Sequence, residues 1–213
     1  ELGSTPLTSM LEGVAAVDSI DGALMELGRL ERTGITGLLQ LFVDNDPGNP
    51  ERYLVFLEQG GLGLPDESYY REEKFAEVRT KYVPFLESMF SLAGLDDAAE
   101  RAHRVFALET ELASHHWDNV ACRDSEKTYN LKSWADVGGP DLSGWLHELD
   151  PPKGAFSEVV VRQPSFLDGL STLLTDDRID AWKDWMRWQV IRSSAAYLSA
   201  DFVNANFEFY GKT

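Results

Sequence analysis

The sequence is poor in the residues that build disulfide and metal sites. It has a single cysteine, Cys122, and four histidines, which are His103, His115, His116 and His147. One cysteine excludes a disulfide framework within the chain and a cysteine-rich zinc site. No local signature surrounds Cys122, so we interpret it as a small core residue rather than a nucleophile.

Basic residues and long apolar runs are also scarce. Only 19 Lys and Arg residues stand against 36 Asp and Glu residues, which gives a formal net charge of −17. We therefore expect no nucleic-acid partner, because a phosphate backbone needs a basic face. A solvated acidic surface explains this charge most directly, and a preference for basic peptides is the alternative. No apolar run reaches about 18 residues, so we predict no membrane-spanning segment.

The N-terminus lacks a signal-peptide pattern. The chain begins with Glu1 rather than Met, which indicates a segment excised from a longer polypeptide. The sequence is compatible with a secreted and with a cytoplasmic location.

The residues that are abundant indicate a folded and mainly helical chain. Hydrophobic residues make up 43%, including six Trp, eleven Phe and seven Tyr, which is enough for a substantial core. Apolar residues recur at helical spacing in many segments. The predicted helices cover residues 6–17, 20–32, 68–94, 98–112, 131–137, 141–149, 165–174, 177–199 and 201–210. Pro84 should kink or split the third of these, and Asp97 with Glu100 has capping-box spacing before the fourth.

A small β-structure interrupts the helices. Residues 38–44 and 52–58 are rich in β-formers and flank the turn cluster 45–50, which predicts a hairpin. Both faces of this hairpin are apolar, so we expect each to be covered, in part by polypeptide outside this chain. If left uncovered, the hairpin would favour self-association. Val159–Val161 is a candidate for one further short strand. The predicted fold class is mainly α, a multi-helix bundle-like lobe with a small β-hairpin and one further strand.

A search for catalytic spacing assigns no active site. A zinc-protease helix needs His-Glu-x-x-His, but after His147-Glu148 the second histidine is replaced by Pro151. The adjacent His115 and His116 point about 100° apart on a helix, so a structural role is expected for both. We therefore predict no catalytic and no metal-binding residue, and we assign no substrate-binding residue.

Two further clusters allow a weaker alternative each. Glu100-x-x-His103 matches the Glu-x-x-His spacing of di-iron bundles, and Glu111 and His115 could add ligands. Such sites need two Glu-x-x-His motifs, and the sequence has only this one. The tryptophans of the last long helix could form a cofactor cage, but their helical spacing among apolar neighbours favours a core role. These residues are Trp182, Trp185 and Trp188.

Several blocks in collinear order resemble the N-terminal region of neprilysin-like zinc endopeptidases. The strongest is the connector Gly61–Tyr70, Gly-Leu-Gly-Leu-Pro followed by Tyr-Tyr after three residues. The others are Leu41–Asp44, Leu108-Glu109, Tyr129–Leu131, Val159–Phe166, Trp188–Ser199 and Phe207–Gly211. Together they span residues 38–213. The blocks His116–Asp118, Gly61–Tyr70 and Phe209–Gly211 are most similar to actinobacterial members.

The resemblance implies that this chain has a structural role and holds no catalytic residues of its own. In that family a mainly helical lobe caps a chamber, and a second lobe holds zinc through His-Glu-x-x-His and a later Glu. Residues 1–213 correspond to a single capping lobe, so zinc and the catalytic residues are expected in a lobe absent from this chain. The implied partners are that catalytic lobe and peptide substrates. The absence of disulfides, of an anchor and of Asn-x-Ser/Thr sequons indicates a bacterial member. The alternatives are a non-catalytic acidic helical interaction module and the helical metalloenzyme above.

Overall fold

The computed structural model describes residues 3–212, and α-helices dominate this range. The helices are α1 (Thr8–Ala15), α2 (Ile20–Arg32), α3 (Ser68–Arg71), α4 (Ala76–Leu92), α5 (Ala98–His115), α6 (Ser143–Leu149), α7 (Pro164–Leu173), α8 (Ile179–Ser194) and α9 (Ala200–Tyr210). The mainly α fold class is therefore confirmed. Between residues 3 and 212 no helix is both long enough and apolar enough to span a membrane.

A four-stranded mixed sheet packs among the helices. Its strands are β1 (Leu39–Asp46), β2 (Asn49–Gln59), β3 (Leu131–Ser133) and β4 (Glu158–Val161), in the order β1-β2-β4-β3. β1 and β2 form the predicted antiparallel hairpin, and β4 is the predicted further strand, parallel to β2. β3 pairs with β4 in the antiparallel sense.

The predicted helix over residues 131–137 is wrong. Leu131–Ser133 forms β3, and Trp134–Asp136 is a single 3-10 turn. The edge of β4 offers backbone hydrogen bonds to this segment, and the turn is further held by the bond from Trp134 N to Ser157 O at 3.2 Å. Such a short segment has too few residues to show whether its apolar positions recur with the period of a strand, 2 residues, or of a helix, 3.6 residues.

The helical segment that begins at residue 68 is interrupted at a different residue from the one predicted. α4 continues through Pro84, so the helix is not split there. The break lies at Glu72, which is extended and separates α3 from a 3-10 turn and α4. Arg79 holds this corner by donating to Tyr69 O at 2.9 Å and to Glu72 O at 2.7 Å. The capping box before α5 is not formed, because Asp97 is left-handed and makes no side-chain cap bond.

α8 lies at the centre of the main core, as its wide apolar arc predicted. Trp182, Trp185 and Trp188 are all buried. Two of their indole N–H groups bond to backbone carbonyls, from Trp182 to Leu173 O and from Trp185 to Gly61 O, both at 2.9 Å. These tryptophans are core residues rather than a cofactor cage. α8 ends earlier than predicted, at Ser194, where a 3-10 turn over Ala195–Tyr197 follows.

Both faces of the hairpin are covered at its base. One face enters the main core, and the other packs into a small cluster of Leu54, Phe56 and Val160. Near the tip the cover stops, because Val43 and Tyr53 are 66% and 68% exposed. The hairpin therefore presents an apolar end to its surroundings.

Candidate functional site

The segment Gly60–Glu67 between β2 and α3 contains most of the family-like block Gly61–Tyr70 and is called the connector from here on. Side chains fix its backbone, and it lines a cleft. Four consecutive carbonyls each accept one side-chain hydrogen bond. The pairs are His116 Nε2 to Gly60 O at 2.9 Å, Trp185 Nε1 to Gly61 O at 2.9 Å, Arg192 Nη1 to Leu62 O at 3.0 Å and Tyr210 Oη to Gly63 O at 2.9 Å. A carbonyl only accepts, so Nε2 is the protonated nitrogen of His116. The donors come from α8, α9 and the end of α5, so three distant parts of the chain set one loop.

The other side of the connector is held by a buried carboxylate and two tyrosines. The hydroxyl of Tyr70 accepts the N–H groups of Gly63 at 3.1 Å and of Leu64 at 3.0 Å. It donates to Glu109 Oε2 at 2.8 Å, and the hydroxyl of Tyr82 donates to the same oxygen at 2.9 Å. Glu109 is fully buried on α5. The connector is therefore braced through both its carbonyls and its amides.

Burial governs the electrostatics of this support. It raises the pKa of Glu109 to about 7, although the hydrogen bonds from Tyr70 and Tyr82 oppose that rise. It also raises the pKa of Tyr210 to about 12, while the Arg192 guanidinium pulls that pKa down. Among residues 3–212, no group donates to Glu109 Oε1. The charge of the central carboxyl therefore changes near neutral pH, directly beneath the connector.

Gly63 is required by this close packing, which gives a testable prediction. A Cβ at this position would lie 1.7 Å from Tyr82 Oη and 3.0 Å from Glu109 Oε1. Tyr82 is fully buried and cannot move aside. Gly63→Ala should therefore lower the free energy of unfolding by about 3 kcal/mol, the upper end of overpacking costs.

Gly94→Ala is the matched control for this variant. Gly94 has φ +75° and open space around its Cβ position, so alanine there meets backbone strain and no clash. We expect a loss of only about 1 kcal/mol. Chemical denaturation of both variants measures the difference, and equal losses would show that Tyr82 does not constrain the connector.

The cleft beside the connector has a volume of about 490 Å³ and a polar lining. Its acidic residues are already engaged: Glu67 with Arg71 at 2.7 Å, Asp66 with Asn119 at 2.7 Å and Glu58 with Arg162 at 3.4 Å. Gln40, Thr36 and Trp117 complete much of the remaining wall. This arrangement can bind polar or peptide groups. It brings no nucleophile into contact with a base among the residues that line it.

The histidines and Cys122 take structural positions. His116 bonds to the connector, and burial lowers its pKa to about 4. His115 packs its ring against Gly169 of α7, where a Cβ would lie 2.3 Å from Nδ1. His103 and His147 are exposed. Cys122 is half-buried rather than fully in the core, with Gln59 Nε2 3.5 Å from its Sγ, and burial raises its thiol pKa.

The alternative metal site on α5 is not assembled. Glu100 and His115 lie 15 residues apart on one helix, which is about 22 Å along its axis, so one ion cannot contact all four candidates. Glu100 instead pairs with Arg104, and Glu111 pairs with Arg178, both at 2.6 Å. Across residues 3–212 no three His, Cys, Asp or Glu side chains form a group that could hold a metal ion. The described residues therefore do not fit a zinc ion.

The sequence pointed to the connector but not to the residues that hold it. Glu109 belongs to the block Leu108-Glu109, which resembles the family. Its position next to the apolar face of α5 is the one feature of the sequence that indicates a buried carboxyl. The partners of Glu109 lie far from it in sequence. They are Tyr70, 39 residues away, and Tyr82, 27 residues away. Arg192 and Tyr210 likewise meet the connector only in the folded chain.

The described residues form a mainly helical domain with a small mixed sheet and a braced connector. Comparison with known proteins assigns this domain to a family. Residues 1–213 match the family model for the N-terminal domain of Peptidase family M13. The chain therefore belongs to peptidase family M13, the family of neprilysin and the endothelin-converting enzymes.

Individual relatives match nearly the whole chain in sequence or in structure. Endothelin-converting enzyme 1 of Homo sapiens is 28% identical over 229 residues, covering 98% of this chain. The Mycobacterium tuberculosis zinc metalloprotease Zmp1 in its open state is 38% identical, covers 99% of this chain and superposes with a TM-score of 0.93. PepO from Lactobacillus rhamnosis HN001 covers 98% at 22% identity with a TM-score of 0.81, a likeness of fold alone. The higher identity to the mycobacterial chain agrees with a bacterial member.

The chain spans only about a third or less of these relatives. The matched region is 29% of the human enzyme, 34% of the mycobacterial chain and 34% of the lactobacillar chain. The match is therefore to an N-terminal domain of larger proteins.

Proposed function

We propose that residues 1–213 form a single helical capping lobe of a two-lobe zinc endopeptidase. The lobe forms one wall of a reaction chamber, keeps bulky substrates and bulk water out, and closes over bound peptide. The observation that carries this proposal is the match of nearly the whole chain to about a third of the mycobacterial zinc metalloprotease, at 38% identity and a TM-score of 0.93, together with the N-terminal family model over residues 1–213.

The division of labour follows from the side chains that are present. The described residues do not fit zinc, so we assign the ion and the bond-breaking groups to polypeptide outside residues 1–213. This chain contributes shape, exclusion and positioning. The carbonyls fixed by His116, Trp185, Arg192 and Tyr210 support such a role, because a wall that guides peptides must hold its geometry without substrate.

The proposal predicts the behaviour of the isolated chain. Residues 1–213 with added Zn²⁺ should show no zinc-dependent cleavage of a quenched fluorescent peptide and should retain no stoichiometric zinc after dialysis. The natural full-length gene product, assayed in parallel, should cleave the peptide and lose activity with a chelator.

Two outcomes would contradict the proposal. Zinc-dependent turnover by residues 1–213 would overturn the proposal. A natural reading frame that lacks His-Glu-x-x-His and a later Glu-x-x-x-Asp after Thr213 would also overturn it, and would support the acidic interaction module instead.

A further inference from the structure

The strand β1 forms one edge of the sheet, and its outward backbone groups have no partner within residues 3–212. The carbonyl of Leu57 accepts the N–H of Arg162 at 2.9 Å, so the backbone of Leu57 faces β4. Backbone directions alternate along a strand, so the neighbouring Phe56 faces β1, where it is paired with Phe42. The β1 residues whose N–H and C=O groups point away from the sheet are therefore Leu39, Leu41 and Val43. Within residues 3–212 no hydrogen bond reaches these groups.

The first five residues of this edge carry no charge that would repel a further strand. The segment 39–43 reads Leu-Gln-Leu-Phe-Val, without lysine or proline. The irregularity of β1 lies beyond it, between Asn45 and Asp46. Long, flat, apolar edges attract further strands unless they are blocked or covered. The edge of β1 is therefore one that a complete protein must cover.

A groove of about 270 Å³ runs beside this edge. Ile35, Leu39, Leu41 and Leu149 give it apolar walls, and Glu31 contributes a carboxyl. Glu31 Oε1 is shielded from solvent, and no donor among the described residues reaches that oxygen with hydrogen-bond geometry. Burial raises the pKa of Glu31 to about 8, although the Trp145 side chain and the Leu38 N–H oppose that rise, and a neighbouring cation would reverse it. The groove offers contacts for alternate apolar side chains and an acceptor for one basic side chain.

Charge decides which strand fits. A second copy paired antiparallel around Leu41 would place Asp44 of each copy opposite Leu38 of the other, beside the Glu31 carboxyl that lies at Gly37 and Leu38, and both copies carry a net charge of −17. Self-association through this edge is therefore disfavoured. The relatives that this chain matches are about three times longer, and a segment tethered in the same polypeptide acts at millimolar effective concentration.

We propose that an extended segment of the parent polypeptide, outside residues 1–213, adds to the free edge of β1 as a fifth strand. Its alternate side chains lie in the groove, and a Lys or Arg contacts Glu31. This inference rests on the proposed function, since both require a longer parent protein, and it adds the surface and the chemistry by which the rest of that protein is held.

Hydrogen exchange of single amides tests the added strand. In residues 1–213 the amides of Leu39, Leu41 and Val43 should exchange freely, while those of Gln40 and Phe42 in the β1–β2 ladder are protected. In the full-length gene product the three outward amides should slow by at least about 100-fold. Equal rates in both proteins would overturn the proposal. So would protection that depends on the concentration of residues 1–213, or that needs an added peptide inhibitor.

Two proline variants at adjacent positions separate the edge from the ladder. Val43→Pro removes an outward N–H and should leave the melting temperature of residues 1–213 close to the original, while restoring fast exchange at Leu41 in the full-length protein. Asp44→Pro removes an N–H that faces β2 and should destabilise both proteins. Slow exchange at Leu41 in full-length Val43→Pro would count against the added strand.

An assay of zinc-dependent peptidase activity on the same full-length preparation distinguishes the two proposals. A full-length protein that has zinc-dependent peptidase activity but free edge amides would overturn the added strand alone. A full-length protein without that activity would overturn the proposed function.

Discussion

Glu109→Ala should lower the free energy of unfolding by about 3–5 kcal/mol, the cost of removing one member of a buried polar network. The carboxylate of Glu109 accepts both tyrosine hydroxyls beneath the connector, at 2.8 Å from Tyr70 and 2.9 Å from Tyr82. At pH 5 Glu109 is neutral in the folded chain, and without it both hydroxyls lose their buried acceptor. Urea denaturation at pH 5 measures the loss, and a change below about 1 kcal/mol would show that the network does not stabilise the fold.

Glu109→Gln is the matched variant, and pH gives it a distinctive signature. The pKa of Glu109 in the folded chain, about 7, lies above its ordinary value of 4.5, so between these pH values the folded state holds a proton that the unfolded state has lost. The contribution of this group to stability is therefore largest below pH 4.5 and falls as pH rises through 7. Glutamine does not titrate. The stability of Glu109→Gln relative to the original chain should thus improve by about 3 kcal/mol between pH 4.5 and 7.5. A difference that stays constant with pH would contradict the raised pKa.

Asp184→Ala should also cost about 3–5 kcal/mol and lower the melting temperature by roughly 10 °C. Asp184 is 1% exposed and lies on α8. Its carboxylate binds Arg101, Arg104 at 2.7 Å and Arg187 at 2.8 Å, which joins α5 to α8. The substitution leaves Arg101 and Arg187 without a carboxylate partner among residues 3–212, and Arg104 with only the exposed Glu100. Thermal and chemical denaturation measure the loss.

The second carboxylate of Arg104 provides the control for Asp184. Glu100 contacts Arg104 at 2.6 Å, but its side chain is 70% exposed. Solvent screens such a pair, so Glu100→Ala should change stability by less than about 0.5 kcal/mol. Similar losses for Asp184→Ala and Glu100→Ala would mean that burial does not distinguish the two pairs.

Local patterns were enough to predict most of the fold. The helical period located α2, α5, α7 and α8, because each places a continuous apolar face toward one core. The turn cluster 45–50 predicted the hairpin, because proline, glycine and asparagine favour reversal of the chain. The same patterns failed at β3 and at Glu72, where hydrogen bonds from distant segments decide the conformation of a few residues.

The sequence by itself determined that this chain is a helical, acidic domain whose connector resembles one family, because composition, period and collinear motifs are properties of neighbours along the chain. Tertiary structure alone decided that Glu109, Tyr82, Arg192 and Tyr210 meet around that connector, and that one edge of the sheet stays open. The physical reason is that hydrogen bonds and burial act between atoms that are close in space. Their separation along the chain, 147 residues between Gly63 and Tyr210, leaves no local trace in the sequence.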